Sequence, residues 1–240
     1  MLYVRGVTQF GDIGFCGGSI IHPRWGISSG RCAANRVYLI ISGGMVNLNR
    51  PRFMFETSTV ATPPGYIDAI HLITQPHDLA VIGFNRDLTL DRFVQPIRLQ
   101  PSAHRTRDYT GVLMTISGWG TTWTHGPTVE NLNWVHLQGV SNFVCLLLHN
   151  SNWLVQETTI CAGPYNVTSQ SFCSGDGGAP LVTVEADGVL TQVGVASFIA
   201  SWGCHVGFPG GFTRPGFYHD FIRQVTGINF DWQPAATDAA

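Results

Sequence analysis

Short apolar or alternating runs, most of them closed by turn residues, recur along the chain at 37–41, 79–84, 112–116, 133–137 and 192–197. Each has the length of a strand and is too short for a packed helix. The chain holds 28 glycines and 13 prolines, which supply the tight turns such runs need. Many short strands with little helical periodicity predict an all-β chain packed as sandwich or barrel. One helix is expected near the end, where Phe217, Phe221 and Val225 share a face by i, i+4 spacing and Gly227 provides a stop.

At 240 residues and 44% hydrophobic, the chain can bury a sizeable core as one or two domains. No apolar run reaches the ~18 residues of a membrane span. Met1-Leu2-Tyr3-Val4-Arg5 lacks the basic start, apolar core and cleavage site of a signal peptide. Net charge is −2, divided as +4 over residues 1–108 and −6 over 109–240, and every basic residue is arginine. No stretch clusters those arginines densely enough to hold phosphates, which disfavours nucleic acid and sulfated polysaccharide as partners. The nine histidines are scattered without ligand spacing. No phosphate-cradling loop or His-Glu-x-x-His pattern occurs, so no metal and no cofactor is expected. Trp123 and Trp153 lie in turn-like contexts, where they are either exposed loop aromatics that contact a partner or, as expected here, substantially buried.

Six cysteines form an even set with no Cys-x-x-Cys pair, which speaks against a zinc ribbon. From the sequence alone they allow fifteen connectivities. Asn166-Val167-Thr168 is a candidate glycosylation sequon.

The chemistry-bearing motifs come in a fixed order. Cys16-Gly17-Gly18-Ser19-Ile20-Ile21 precedes Ile27-Ser28-Ser29-Gly30-Arg31-Cys32. Asp78-Leu79-Ala80-Val81-Ile82, Ser117-Gly118-Trp119-Gly120 and Cys173-Ser174-Gly175-Asp176-Gly177-Gly178-Ala179-Pro180-Leu181-Val182 follow. Gly203-Cys204-His205-Val206-Gly207-Phe208-Pro209-Gly210-Gly211-Phe212-Thr213-Arg214 closes the series. Taken together, these segments resemble the chymotrypsin-type (trypsin-like) serine proteases, with a pattern most similar to arthropod chymotrypsins and collagenolytic proteases. The resemblance spans roughly residues 3–229.

The resemblance implies two six-stranded antiparallel β-barrels with a C-terminal helix. The first barrel is expected over 1–108, the second barrel and helix over 109–230, and a flexible tail over 231–240. It also implies disulfides Cys16–Cys32, Cys145–Cys161 and Cys173–Cys204, hence an oxidising compartment and secretion. The triad-equivalent positions are Arg31, Asp78 and Gly177. Arginine stands where the family has its histidine, and glycine where it has its serine. Gly175 and Asp176 match the oxyanion loop. Ser171 matches the base of the specificity pocket and Ser197, Phe198, Ile199 and Gly210 its walls, with Ile199 narrowing the mouth.

An arginine guanidinium stays protonated and cannot serve as base, and a glycine offers no attacking atom. A guanidinium–carboxylate pair between Arg31 and Asp78 is expected across the cleft. His77 adjoins Asp78, but strand neighbours face opposite ways, so it is not expected to replace the base. The chain begins inside the segment that follows the family's Ile-Val-Gly-Gly terminus, so Asp176 is expected to find another partner or stay hydrated. The functional expectation is a secreted inactive homologue, not an enzyme. It would act as a monomer by binding an unidentified protein as a decoy, regulator or immune-recognition protein. A serine-type endopeptidase with residual hydrolase activity and a structural or storage protein are the alternatives.

Overall fold

The computed structural model describes residues 1–234 except Asp12, Leu72, 150–152 and Thr168. Its first sheet is built from β1 (Leu2–Val7), β2 (Ile13–His22), β3 (Trp25–Ser28), β4 (Tyr38–Gly43), β5 (Phe53–Thr57), β6 (Val60–Ala61) and β7 (Ala80–Gly83). Its second sheet holds β8 (Arg98–Leu99), β9 (Leu113–Gly118), β10 (Asn133–Val140), β11 (Thr159–Pro164), β12 (Pro180–Val184), β13 (Leu190–Phe198) and β14 (Gly210–Thr213). The strand orders are β5-β4-β1-β2-β3-β7-β6 and β12-β9-β10-β11-β14-β13-β8, with β12 also pairing β13. The mostly-β, two-barrel expectation is met. Among the described residues each sheet counts seven strands, because the two-residue strands β6 and β8 are appended. The latter runs parallel to β13 from the linker between the halves.

Alternation explains how each sheet fills. In β1, Leu2 and Val4 point inward and are fully buried, with Tyr3 and Arg5 between them. They join Leu39, Ile41, Ala80 and Ile82 in the first core. Met114, Ile116, Leu137, Leu181 and Phe212 build the second core. A third cluster joins the halves, where Ile27, Leu79 and Val81 meet Leu99, Val195, Tyr218 and Ile222.

The last residue of that cluster comes from the terminal helix. After α1 (Gly30–Ala33) and α2 (Asn142–Leu148), α3 (His219–Thr226) ends at Gly227, whose φ of 73° is the left-handed conformation glycine accepts without strain. Asp231 and Trp232 are tied back to the fold. Asp231 accepts the Ser102 N–H at 2.8 Å, and the Trp232 indole donates to the Leu99 carbonyl at 2.8 Å. The remainder of the expected tail, 235–240, lies outside the described residues.

The disulfides are Cys16–Cys32, Cys145–Cys161 and Cys173–Cys204. Trp123 and Trp153 depart from the burial expected of them and are 54% and 50% exposed. No helix among the described residues is long and apolar enough to cross a membrane.

Candidate functional site

A cleft of about 440 Å³ opens between the halves. The first half contributes Phe15, Ser29, Arg31, Arg36 and Thr74, and the second Phe172, Gly175, Gly177, Ser197 and Ile199. Local geometry brings these segments together. The Cys16–Cys32 bridge ties α1 to β2. A Cβ on Gly30 would lie 2.9 Å from the Tyr66 ring, so a side chain there would force that ring to move. Between β13 and β14 the register shifts, so that Ala196 faces Phe212 and Phe198 faces Gly211. Ser197 is the extra residue of this bulge, and a bulge re-aims the side chain it carries.

Ser197 is aimed at Asp78. Its hydroxyl donates to Asp78 Oδ2 at 2.7 Å, and the Arg31 main-chain N–H donates to Oδ1 at 2.8 Å. Asp78 is 1% exposed. Burial raises its carboxyl to about 6, and the two hydrogen bonds oppose that rise only in part.

The expected guanidinium–carboxylate pair is not formed. Arg31 is exposed, and among the described residues its guanidinium has no acid partner. The physical reason is that main-chain and hydroxyl donors already occupy both carboxylate oxygens, so desolvating an arginine would add little. His77 adopts a φ of 60° outside any strand, and its Nδ1 lies 2.9 Å from the Tyr218 hydroxyl. It faces Tyr218 and not the cleft.

The loop around Gly177 is anchored by Asp176. Its Oδ1 accepts the Gly120 N–H and its Oδ2 the Cys173 N–H, both at 2.9 Å. Burial raises this carboxyl, and those two bonds pull it back. Asp176 therefore finds main-chain partners in place of hydration, and Gly118 and Gly120 make room for it. Gly177 itself accepts from the Gly17 N–H at 2.8 Å. A Cβ on Gly177 would meet only Cys32 Sγ, at 3.6 Å, so the position has room for a side chain.

The expected pocket residues do not all converge. Ser171 lines a separate hollow of about 250 Å³ together with Asn133, Trp134 and Gln170. Ser197, Phe198 and Ile199 line the cleft. Gly210 is buried beneath Phe172, whose ring would lie 2.3 Å from a Cβ there. Phe172 is 4% exposed and packs on Phe212 with ring centroids 4.7 Å apart. Ile199 packs half-buried against the same core. Phe172 and Ile199 together fill space beside the cleft floor.

Sequence reasoning missed Phe172 and Arg36. A signal existed for Phe172: a large aromatic between Ser171 and Cys173, opposite two adjacent glycines. None existed for Arg36, which reaches the cleft because its Nε donates to the Cys32 carbonyl at 3.3 Å. Asn166 is exposed, while Thr168 of its sequon lies outside the described residues. Among the described residues no cluster of three or more potential metal ligands occurs.

Two barrel-like sheets enclosing a cleft, with a buried aspartate behind it and a glycine-rich loop on its floor, define a chymotrypsin-type serine protease scaffold. The Trypsin family model matches residues 4–222, and the chain belongs to that family. Chymotrypsin-2 of Vespa crabro is 29% identical over 212 residues, covering 88% of each chain. A solved HL collagenase superposes with a TM-score of 0.82 at 26% identity, over 95% of this chain and 93% of the other. A scabies mite inactivated protease paralogue superposes at 0.77 and 21% identity, over 97% and 94%, and at that identity it supports the fold alone.

These comparisons overturn the expectation that the chain is not an enzyme. The family and the relatives it matches along their length are proteases by name, which favours an enzyme reading. The physical reason lies in the scaffold. The buried aspartate, the anchored loop and the cleft stand together around Arg31 and Gly177.

Proposed function

We propose that the chain acts on polypeptides in the inter-barrel cleft as a secreted serine-protease-family hydrolase of residual activity. Capture of the chain outweighs its turnover. The observation that carries this reading is the Asp176-anchored loop, which puts Gly175 and Gly177 on the cleft wall. Their N–H groups donate to no other described residue. Such donors stabilise the negative oxygen of a tetrahedral adduct. The roles of Arg31, Asp78 and Gly177 as triad positions are part of the proposal.

With no side-chain atom on Gly177 and a protonated Arg31, an acyl-enzyme route has neither nucleophile nor base. Water then attacks the carbonyl directly and its proton passes to the leaving group, so an ester gives acid and alcohol and a peptide gives acid and amine. In triad enzymes generally, acceleration of about 10³–10⁴ over water survives loss of the triad, from oxyanion stabilisation and binding. Activated esters are therefore the substrates of choice, and amides turn over far more slowly. The three disulfides support secretion. A binding role alongside this activity, as decoy, regulator or immune-recognition protein, is supported by the exposed cation at Arg31.

The test is hydrolysis of p-nitrophenyl acyl esters by the purified chain and by Gly175→Ala, whose Cβ would collide with the Phe15 ring at 2.4 Å. Slow saturable turnover lost in the variant is expected. Turnover absent from the parent, or unchanged in the variant, overturns the hydrolase reading.

A further inference from the structure

Among the described residues the cleft carries an unmatched positive charge. Its charged lining side chains there are Arg31 and Arg36, one exposed and one half-buried. Arg36 is held across α1 by its Nε bond to the Cys32 carbonyl, and its Nη2 lies 3.5 Å from the Arg31 carbonyl. Neither guanidinium has an acid partner among the described residues. Burial lowers the Arg36 pKa, and the nearby Arg31 charge adds to that effect. Asp78 and Asp176 do not line the cleft. Both are buried and committed to main-chain N–H groups.

Gly175 and Gly177 line the same cleft, and a Cβ on Gly177 would meet only Cys32 Sγ, at 3.6 Å. Ser174 and Ser201 also line the cleft, while the Ser197 hydroxyl is committed to Asp78. Cationic forks and uncommitted N–H donors, with no acid lining the cleft among the described residues, form a receptor for an anion, and a carboxylate matches the guanidinium fork in two-point geometry. The space filled by Phe172 and Ile199 favours a ligand with small side chains beside that carboxylate.

We infer that the cleft recognises a carboxylate carried by a peptide, seated between the Arg31 guanidinium and the Gly175–Gly177 loop. The inference rests on the polypeptide-binding reading above and gives it a ligand class. A terminal carboxylate and an aspartate side chain offer the same chemistry. A terminal carboxylate is also what peptide hydrolysis releases, so the cleft retains its product.

Isothermal titration of the full chain tests this with three probes: acetyl-trialanine acid, acetyl-trialanine amide, and acetyl-Ala-Asp-Ala amide. The acid binds at least about tenfold more tightly than its amide, as loss of a charge-assisted hydrogen bond implies. Arg31→Ala abolishes that gap, and Arg31→Lys keeps part of it. Binding of the aspartyl amide at the strength of the acid assigns the side-chain source, and weak binding assigns the terminal one; both support the inference. Equal binding of acid and amide overturns it while leaving a peptide-binding cleft. A gap that persists in Arg31→Ala overturns the assignment to Arg31. No binding by any probe removes both the inference and the reading beneath it.

Discussion

Arg31 meets Asp78 through its main chain: the N–H donates to Oδ1 at 2.8 Å while the guanidinium stays exposed. The two halves of one residue therefore do separate work, one holding the carboxylate and the other facing the cleft. Arg31→Ala is expected to shift stability by no more than about 0.5 kcal/mol, as for surface changes generally. Asp78→Ala leaves the Arg31 N–H and the Ser197 hydroxyl without an acceptor, at about 1–3 kcal/mol for each buried group. Urea unfolding of both variants checks the contrast; equal losses would mean the guanidinium does engage the carboxylate.

Asp78 also sets a pH dependence. Its folded value of about 6 lies above the ~3.9 of an unfolded aspartate, so between them the folded chain binds more protons. Stability from this group is then present below pH ~4 and falls as pH rises through 6, by on the order of 2–3 kcal/mol. Asp176, also raised by burial, has the same sign. Carboxyls held low, such as Asp187 at about 2 beside Arg98, act in the opposite sense below pH ~4. Unfolding free energy measured from pH 4 to 7 should decline in the parent and flatten in Asp78→Asn.

Two neighbouring glycines should respond oppositely to serine. At Gly177 an added Cβ touches only Cys32 Sγ at 3.6 Å, and Gly177→Ser should fold with an unchanged melting temperature. At Gly178, φ is 81° and a Cβ would lie 2.2 Å from Ser28 Oγ, so Gly178→Ser should be destabilised or fail to fold. Combined with Arg31→His, Gly177→Ser should raise ester turnover by orders of magnitude. Failure of fluorophosphonate to label that double variant would count against the triad assignment.

Phe172→Ala should open the space above Gly210 and admit peptides with larger side chains, at a stability cost of about 3–5 kcal/mol. Thermal unfolding and a panel of peptide acids of graded side-chain size would measure both effects. Unchanged size preference would show that Phe172 does not limit the cleft.

Much of this was legible in the chain. The run at 192–197 lies within β13, that at 37–41 overlaps β4 from Tyr38, and of the expected helical face Phe221 and Val225 lie in α3 with Phe217 in the turn just before it. The motif series pairs the cysteines as they are found. The orientation of Arg31 was not legible, because sequence does not say whether a residue meets its neighbour by main chain or side chain. The second helix was missed because Phe143 and Leu147 face solvent, 70% and 67% exposed, which blurs its apolar face. Its clue was Ser141, whose hydroxyl caps the Val144 N–H at 3.3 Å. The Ser197 bulge leaves no mark in composition at all, since it is a property of strand pairing.

The bond from the Gly17 N–H to the Gly177 carbonyl, with the buried Ser19–Gln192 bond at 2.6 Å, stitches one half of the molecule to the other directly behind the cleft. A visiting peptide cannot wedge the barrels apart without tearing that seam. Adjustment to a guest must come from the cleft-lining residues 199–201, where amide hydrogen exchange should slow on binding while the back wall stays still.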